Sequence, residues 1–207
     1  MAYQPYRHDT FPPIVKNLII INVLVFLAQN LLPVEYMVTG RLALWPFESD
    51  FFSPYQIATH MFTHGGFSHI LFNMFSLWMF GRVLENVWGP KRFLLFYLIC
   101  GVGAAVAHLI VQYFTGSGAP TVGASGAIMG VMAAFAYLFP NTELFIMFIP
   151  VPIKAKWAVL GYAAIDLFGG VARFSGDNIA HFAHLGGALT GFIIVLIWNK
   201  RSRNRFY

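Results

Sequence analysis

The stretch Val122–Gly130 reads VGASGAIMG and places a serine among small residues, at the start of an apolar run that reaches Phe139. A hydroxyl in so apolar a setting loses its proton only if a base lies within hydrogen-bond reach. The best candidate base is His184, in the segment AHFAHLGGALTG of residues 180–191. We therefore expect Ser125 and His184 to meet between two helices.

Both segments carry a stripe of small residues at helical spacing. The positions are Gly126, Gly130 and Ala134 in the first, and Gly187 and Gly191 with His184 at their head in the second. Such stripes let helix backbones approach closely in a membrane. They are either packing seams alone, or seams that also bring the polar residues at their matching ends into contact.

Composition assigns the chain to the membrane proteins. Of its 207 residues, 58% are hydrophobic and 10% are charged, whereas a soluble domain carries about 25% charged residues. The net charge of +5 does not indicate nucleic-acid binding, because the basic residues flank apolar runs. The single cysteine, Cys100, excludes an internal disulfide and a multi-cysteine metal site. No cleavable signal peptide is evident, so the first apolar run is expected to remain as a membrane helix.

Six apolar segments predict an all-α fold, a polytopic membrane protein with a bundle of six membrane-spanning helices. They lie near residues 15–32, 68–87, 93–114, 123–139, 157–172 and 179–198. In this arrangement almost all lysines and arginines fall on the side of the two termini. The positive-inside rule therefore predicts cytoplasmic termini, and the serine and histidines then open toward the outside.

Two connections between the predicted spans are unusual. Residues 33–67 are too aromatic for a solvated loop and too polar to span, so they are expected to lie in the membrane interface, as an aromatic anchor or a substrate-facing element. Residues 140–155 contain several prolines and are expected to form a cytoplasmic turn or a short extended excursion. The predicted layout is a cytoplasmic N-terminal tail over 1–13, a membrane domain over 14–199 and a basic cytoplasmic tail over 200–207.

His69 and Asn73 lie one helical turn apart at the start of the second predicted span. Polar side chains at membrane depth are costly and usually face a functional cavity or a partner. Two neutral hydrogen-bonding groups beside a nucleophile suit an oxyanion hole. The alternative is structural hydrogen bonding between helices.

Metal binding is an alternative role for the histidines that form the spaced pairs His60/His64 and His181/His184. Zinc enzymes usually add a carboxylate base, as in HExxH, and none stands beside these pairs in the sequence. Neither a metal ion nor another cofactor is therefore expected. His60, His64 and His181 are assigned instead to bracing loops by hydrogen bonds. A water-filled cavity that opens outward is also expected, lined by His69, Asn73 and the His60/His64 pair.

Together these motifs resemble those of the rhomboid family of intramembrane serine proteases. They are HxxxN from His69, GxSG from Gly123 and HxxGxxxG from His184, and the resemblance covers nearly the whole chain. It implies Ser125 as nucleophile and His184 as general base and acid. It also implies oxyanion donors and supporting positions: the donors are His69, Asn73 and the Ser125 backbone N–H, and the supporting residues are Gly123, Gly126, Met129, Gly187, Gly191, His64 and His181. Met129 stands where the family often has a tyrosine that stacks on the histidine.

The implied activity is hydrolysis of peptide bonds in or beside transmembrane segments of membrane proteins, through an acyl-serine intermediate. Asp177 is the only carboxylate close to His184 in sequence, and it falls in the loop before the sixth span, so a Ser-His dyad is predicted rather than a triad. Asp166, in the fifth span, is a carboxylate at membrane depth that either pairs with a histidine or forms a hydrogen bond to a neighbouring helix. The resemblance further implies sideways entry of substrate between the second and fifth spans, with residues 173–178 as a cap.

The expected partners are transmembrane protein substrates and the lipid bilayer, without nucleic acid and without a particular oligomeric state. The expected location is a bacterial plasma membrane, and a Golgi-type or other secretory-route membrane is the alternative. Two other classes of protein remain as alternatives. A channel or transporter would need polar residues leading to both faces of the membrane, whereas here they cluster at one end. A non-proteolytic, rhomboid-like protein that binds membrane clients would keep the fold and lose the dyad.

Overall fold

The computed structural model describes residues 9–32, 35–116, 118–145, 151–172 and 180–203, and this part of the chain is predominantly helical. Its α-helices are α1 (Pro13–Leu31), α2 (Glu35–Leu42), α3 (Gln56–Thr59), α4 (Phe67–Ser76), α5 (Arg82–Trp88), α6 (Pro90–Thr115), α7 (Ser125–Leu138), α8 (Ala155–Ala172) and α9 (His181–Arg203). A 3₁₀ turn, His60–Phe62, follows α3, and a π-helical segment, Leu77–Gly81, joins α4 to α5.

Each predicted span coincides with a helical stretch, and the second consists of α4, the π-helical segment and α5. Within the described ranges, three helices are long and apolar enough to cross a membrane: Pro13–Leu31, Pro90–Thr115 and His181–Lys200. Helix α7 has only 14 residues, fewer than the roughly 20 that a hydrocarbon core requires. The helical fold is confirmed, and the count of six spans stays a prediction. The predicted cap at 173–178 lies outside the described residues, as does most of the N-terminal tail.

Helix α7 is the centre of the bundle. Ten of its 14 residues are buried, and it contacts α4, α5, α6, α8 and α9. Alanine and glycine make up much of the helix, so its neighbours can approach its backbone closely. The nucleophile candidate at its first residue is therefore held by the best-packed element of the fold.

The two small-residue stripes face each other across α7 and α9, as predicted. A Cβ added to Gly187 would overlap the backbone carbonyl of Gly126, and one added to Gly191 would come within 2.5 Å of the Gly130 oxygen. No side chain larger than hydrogen fits at this seam without moving a backbone. The seam therefore fixes the axial position of α9 relative to α7, and with it the height of His184 beside Ser125.

Glu85 of α5 fixes the start of α1. It is buried, and its two carboxylate oxygens accept hydrogen bonds from the backbone N–H groups of Ile14 and Val15, at 2.9 and 2.8 Å. The first N–H groups of a helix have no carbonyl within the helix to accept them, and the positive end of the helix dipole favours a carboxylate there. Pro13 occupies the first position, where its missing N–H costs nothing.

The first connection is a folded substructure that is joined to the segment before Ser125. Leu44 and Thr121 exchange two backbone hydrogen bonds, of 2.9 and 2.8 Å. Inside the connection, the buried side chain of Gln56 donates to the backbone oxygens of Arg41 and Phe51 and accepts from backbone N–H groups with its own oxygen. The predicted position of the connection in the membrane interface stays a prediction.

The second unusual connection forms a short antiparallel hairpin, β1 (Glu143–Leu144) paired with β2 (Ile153–Lys154). This pairing confirms the predicted extended excursion between α7 and α8. Residues 146–150, at its far end, lie outside the described part of the chain.

Candidate active site

Ser125 is the first residue of α7, and the backbone just before it has a conformation that requires glycine. Gly123 has a φ of +124°, which residues with a side chain rarely adopt. A Cβ at this position would also lie 2.8 Å from the ring of His69. Because Ser125 opens the helix, no carbonyl of the helix accepts its backbone N–H, and the helix dipole favours negative charge beside it.

The hydroxyl of Ser125 lies 2.8 Å from Nε2 of His184, in the first turn of α9. The structure thus brings together the two residues that the sequence analysis paired. His184 is only 7% exposed, so little water competes for its ring nitrogens. Its Nε2 accepts the hydroxyl proton only if that nitrogen carries no hydrogen, and the neutral ring must then carry its hydrogen on Nδ1.

Nδ1 of His184 faces a carboxylate. Asp166 of α8 is 3% exposed, and both its oxygens lie 3.1 Å from His184 Nδ1. Its Oδ1 also lies 2.7 Å from Nδ1 of His181. Asp166 thus pairs with histidines, which is one of the two alternatives left open for it. The predicted dyad considered only carboxylates close to His184 along the chain, whereas Asp166 reaches the ring from the adjacent helix. Asp177 lies outside the described residues.

His69 has the opposite arrangement of ring hydrogens. The backbone N–H of Gly65 donates to Nδ1 of His69, at 3.3 Å, so the hydrogen of the neutral ring lies on Nε2. A Cβ placed on Gly123 would lie 2.8 Å from this Nε2 and 3.6 Å from the Ser125 hydroxyl. The ring edge of His69 and the Ser125 hydroxyl therefore both lie close to Gly123. The ring of His64 packs edge-on against His69, with centroids 5.1 Å apart, and supports its orientation.

Asn73 lies one turn further along α4. Its amide nitrogen donates one hydrogen to the backbone oxygen of His69, at 2.9 Å, and an amide group has a second hydrogen to offer. The predicted pairing of His69 and Asn73 on one face of a helix is therefore present in the structure. Both side chains face the same cavity as Ser125.

A cavity of about 430 Å³ opens between α4, α7, α8 and α9. It is lined by Ser68, His69, Phe72, Asn73, Ser76, Ser125, Ile128, Met129, Met132, Tyr162, Ala180 and His184. Polar groups concentrate at one end of the lining, and Phe72, Ile128 and Met132 form its apolar wall. His60 and His64 do not line it, contrary to the expectation that they face the cavity, because both are buried in the core instead.

His60 and His64 lie in the first connection, outside the candidate spans. Nδ1 of His60 donates to the backbone oxygen of Gln56, at 2.9 Å, which confirms the predicted bracing role for this residue. Burial lowers the pKa of His60 to about 4 and is also the main cause that lowers the pKa of His64 to about 4. Both rings are therefore neutral at pH 7. Among the described residues, no group of three or more histidine, cysteine or acidic side chains is arranged to hold a metal ion.

The aromatic support of His184 comes from a different helix than the family pattern suggests. Met129, one turn after Ser125, is buried and lines the cavity beside His184. The ring of Tyr162, on α8, lies with its centroid 6.3 Å from that of His184. Helix α8 thus presents both an aromatic ring and the carboxylate of Asp166 to the same imidazole.

Comparison with known proteins assigns the family. A model of the Rhomboid domain matches residues 52–201, which include all the residues of this site. The chain belongs to the rhomboid family. It is 33% identical over 194 residues to the human presenilin-associated rhomboid-like protein, mitochondrial, covering 91% of this chain and 50% of that protein.

Two further relatives come from yeast and from a bacterium. Rhomboid protein 1, mitochondrial, of Saccharomyces cerevisiae is 33% identical over 134 residues, covering 64% of this chain and 38% of that protein. Rhomboid protease GluP of Bacillus subtilis is 33% identical over 140 residues, covering 67% and 25%. The chain thus spans half or less of the length of these relatives. It is an integral membrane protein of the rhomboid family, but the expected bacterial plasma membrane is not supported, because two of these three relatives are named as mitochondrial.

Sequence analysis missed Tyr162 and left open which residue Asp166 contacts. The available signal for Asp166 was its charge, since an ionisable residue within an apolar segment is a functional candidate by default. Tyr162 lies one turn before Asp166 on the same helix face. Spacing along the sequence does not show that both side chains contact His184, because this contact depends on the rotation of α8 relative to α9.

Proposed function

We propose that this rhomboid is an intramembrane serine endopeptidase that cleaves transmembrane or juxtamembrane segments of membrane proteins. The observation that carries the proposal is the 2.8 Å contact between the Ser125 hydroxyl and Nε2 of His184, two residues that reach each other only through the fold. The printed name of the Bacillus subtilis relative, a rhomboid protease, supports the same activity.

In the proposed reaction, His184 Nε2 takes the proton of Ser125 as the hydroxyl oxygen attacks the scissile carbonyl carbon. Nε2–H of His69, the second amide hydrogen of Asn73 and the Ser125 backbone N–H donate to the oxyanion that forms. The C–N bond breaks as Nε2 returns the proton to the leaving amine. A water molecule then gives its proton to Nε2, adds to the ester, and releases Ser125 with that proton.

The architecture that fits this activity is a bundle of six membrane-spanning helical stretches. Residues 14–199 would form the membrane domain, between short cytoplasmic tails at 1–13 and 200–207. The clustering of lysine and arginine on the side of the termini supports an active site that opens on the opposite side. Helix α7 is short for a span, and a buried position inside the bundle is compatible with its length.

The site supports entry of the substrate from the side. Helices α4 and α8 flank the cavity, with Ser68, Phe72 and Ser76 on one wall and Tyr162 on the other. The outer face of α8 is apolar and exposed, with Leu160, Ile165 and Phe168 among its exposed residues. A substrate helix in the bilayer would therefore reach the cavity between these two helices without crossing a polar surface.

The test is covalent labelling of the purified protein in detergent by a fluorophosphonate, which reacts with activated serines. Labelling is expected in the wild type and absent in Ser125→Ala, and His184→Ala should slow it by roughly three orders of magnitude or more. Ser68→Ala is the matched control, because Ser68 lines the same cavity without contacting His184, and it should label as the wild type does.

Equal labelling of wild type and Ser125→Ala, or none in either, would contradict the proposal. The chain would then be better described as a rhomboid-like protein that binds membrane clients without cleaving them. If the wild type is labelled and Ser125→Ala is not, the next measurement is direct cleavage of a reconstituted transmembrane substrate.

A further inference from the structure

Asp166 of α8 contributes a carboxylate to the site. It bonds to the two histidines that lie one turn apart at the start of α9. Nδ1 of His181 is 2.7 Å from Oδ1, and Nδ1 of His184 is 3.1 Å from both oxygens. All three side chains are buried. The His184 ring therefore lies between a carboxylate at Nδ1 and the Ser125 hydroxyl at Nε2.

The helix faces that meet here explain how the contact forms. Asp166 and Gly169 share a face of α8, and His181 and His184 share a face of α9. A Cβ on Gly169 would lie 2.6 Å from the His181 ring. The glycine thus leaves room for that ring against α8, and the two helices come close enough for Asp166 to reach both imidazoles.

The contact determines which nitrogen of His184 is free to act as a base. A carboxylate only accepts hydrogen bonds, so Nδ1 of His184 must carry the ring hydrogen when it faces Asp166. Nε2 then presents its lone pair to the Ser125 hydroxyl. Without the carboxylate, nothing among the described contacts of Nδ1 would favour this tautomer over the one that cannot accept the serine proton.

The carboxylate also acts on the charge that appears during the reaction. When His184 takes the serine proton the ring becomes cationic, and a buried anion about 3 Å from its other nitrogen stabilises that cation strongly, because little solvent screens the pair. The other ionisable groups facing His184 are Tyr162 on α8, His181 on α9, His69 on α4 and His108 on α6. None of them supplies a negative charge at neutral pH.

We infer that Asp166 is a positioning residue that holds His184 in the tautomer and orientation required to activate Ser125, so that the site works as a serine–histidine–aspartate chain rather than as a dyad. The inference rests on the proposed proteolytic function. Asp166 does not take the serine proton; it accepts the hydrogen bond from Nδ1–H of His184, and that hydrogen stays on the ring. His181 holds the carboxylate from its other side.

The inference is tested by Asp166→Asn, which keeps the size of the side chain and removes its charge. We expect kcat for a reconstituted transmembrane substrate to fall by about 10²- to 10⁴-fold, with KM within twofold of the wild-type value. Gly161→Ala is the control on the same helix, because a Cβ at this position would meet nothing within 4 Å. Its kcat should stay within tenfold of wild type. Asp166→Glu, which retains the charge, should recover part of the lost rate.

A second readout follows the tautomer of His184 directly, by ¹⁵N NMR of histidine-labelled protein assigned with His184→Gln. The wild type should show Nδ1–H, and Asp166→Asn should lose this preference while Gly161→Ala keeps it. An Nε2–H tautomer in the wild type would overturn the inference, even if Asp166→Asn fails to fold. So would an Asp166→Asn variant with wild-type kcat and an unchanged tautomer. If Ser125→Ala and wild type are equally inactive, the proposed function fails, and the NMR result still decides the role of Asp166.

Discussion

At the scale of single residues, the site depends on where each imidazole carries its hydrogen. Nδ1 of His184 faces an acceptor, Asp166, whereas Nδ1 of His69 faces a donor, the backbone N–H of Gly65. The remaining nitrogen is therefore a lone pair in His184 and an N–H in His69. Two histidines of one cavity are thus suited to opposite tasks, proton acceptance and oxyanion binding, and one neighbour of each sets the difference.

Gly123→Ala tests the oxyanion role of His69 without changing either histidine. The new methyl group would lie 2.8 Å from the His69 ring in a backbone conformation with φ of +124°, so the ring must move away from Ser125. Loss of one oxyanion donor typically lowers kcat by on the order of 10²- to 10³-fold. We expect a loss of this size in cleavage of a transmembrane substrate, measured as kcat in liposomes.

Gly118→Ala is the control for this variant. Gly118 lies in the same connection before α7, and a Cβ there would meet nothing within 4 Å. Its kcat should match that of the wild type. Wild-type kcat in Gly123→Ala would show that the position of His69 does not matter for the reaction.

At the scale of helices, the seam between α7 and α9 aligns Ser125 with His184. Backbone contacts between glycines leave no freedom for one helix to slide along the other, because any larger side chain would have to displace a carbonyl group. Ser125 and His184 head the two stripes, so their contact is set by packing further along both helices.

Gly187→Ala is therefore expected to destabilise the protein and to separate the two residues. Its methyl group would overlap the Gly126 carbonyl, and forced overpacking of this kind costs about 1–3 kcal/mol. We expect a lower Tm in detergent and slower fluorophosphonate labelling. Gly161→Ala, on the exposed face of α8 with nothing within 4 Å of its Cβ, should leave both unchanged; equal Tm values for the two variants would argue against the seam.

At the scale of the whole molecule, the buried histidines of the first connection should make stability depend on pH. Folding lowers the pKa of His60 and His64 from 6.5 to about 4. Between these values the unfolded chain binds protons that the folded chain does not, so stability is complete above pH 6.5 and falls as the pH is lowered toward 4. A shift of this size corresponds to at most about 3 kcal/mol per histidine.

The measurement is Tm in detergent at pH 7.5, 6 and 5, for the wild type and for a variant with His60→Gln and His64→Gln. The wild-type Tm should fall with pH, and the Tm of the variant should fall less. Parallel curves for the two proteins would mean that these histidines are not the groups that titrate.

The sequence predicted those features of the rhomboid fold that repeat along the chain. Apolar runs gave the positions of the helices, and the glycines at 126, 130, 187 and 191 gave the seam, because both depend on spacing within one segment. The contact of Tyr162 was missed, and the histidine contacts of Asp166 were only one of two alternatives, because both depend on how α8 is turned toward α9. The cavity lining was only partly predicted, since His60 and His64 share the histidine spacing of functional residues but are buried beneath the site.

The hydrogen-bonded pair of Leu44 and Thr121 has a mechanical consequence. The first connection exposes the large rings of Phe47 and Phe51, which are available for contact with lipid or detergent. The two hydrogen bonds between Leu44 and Thr121 join the backbone of this connection to the segment that leads into Ser125. A displacement of the first connection would therefore also displace the segment that positions Ser125 at the start of α7.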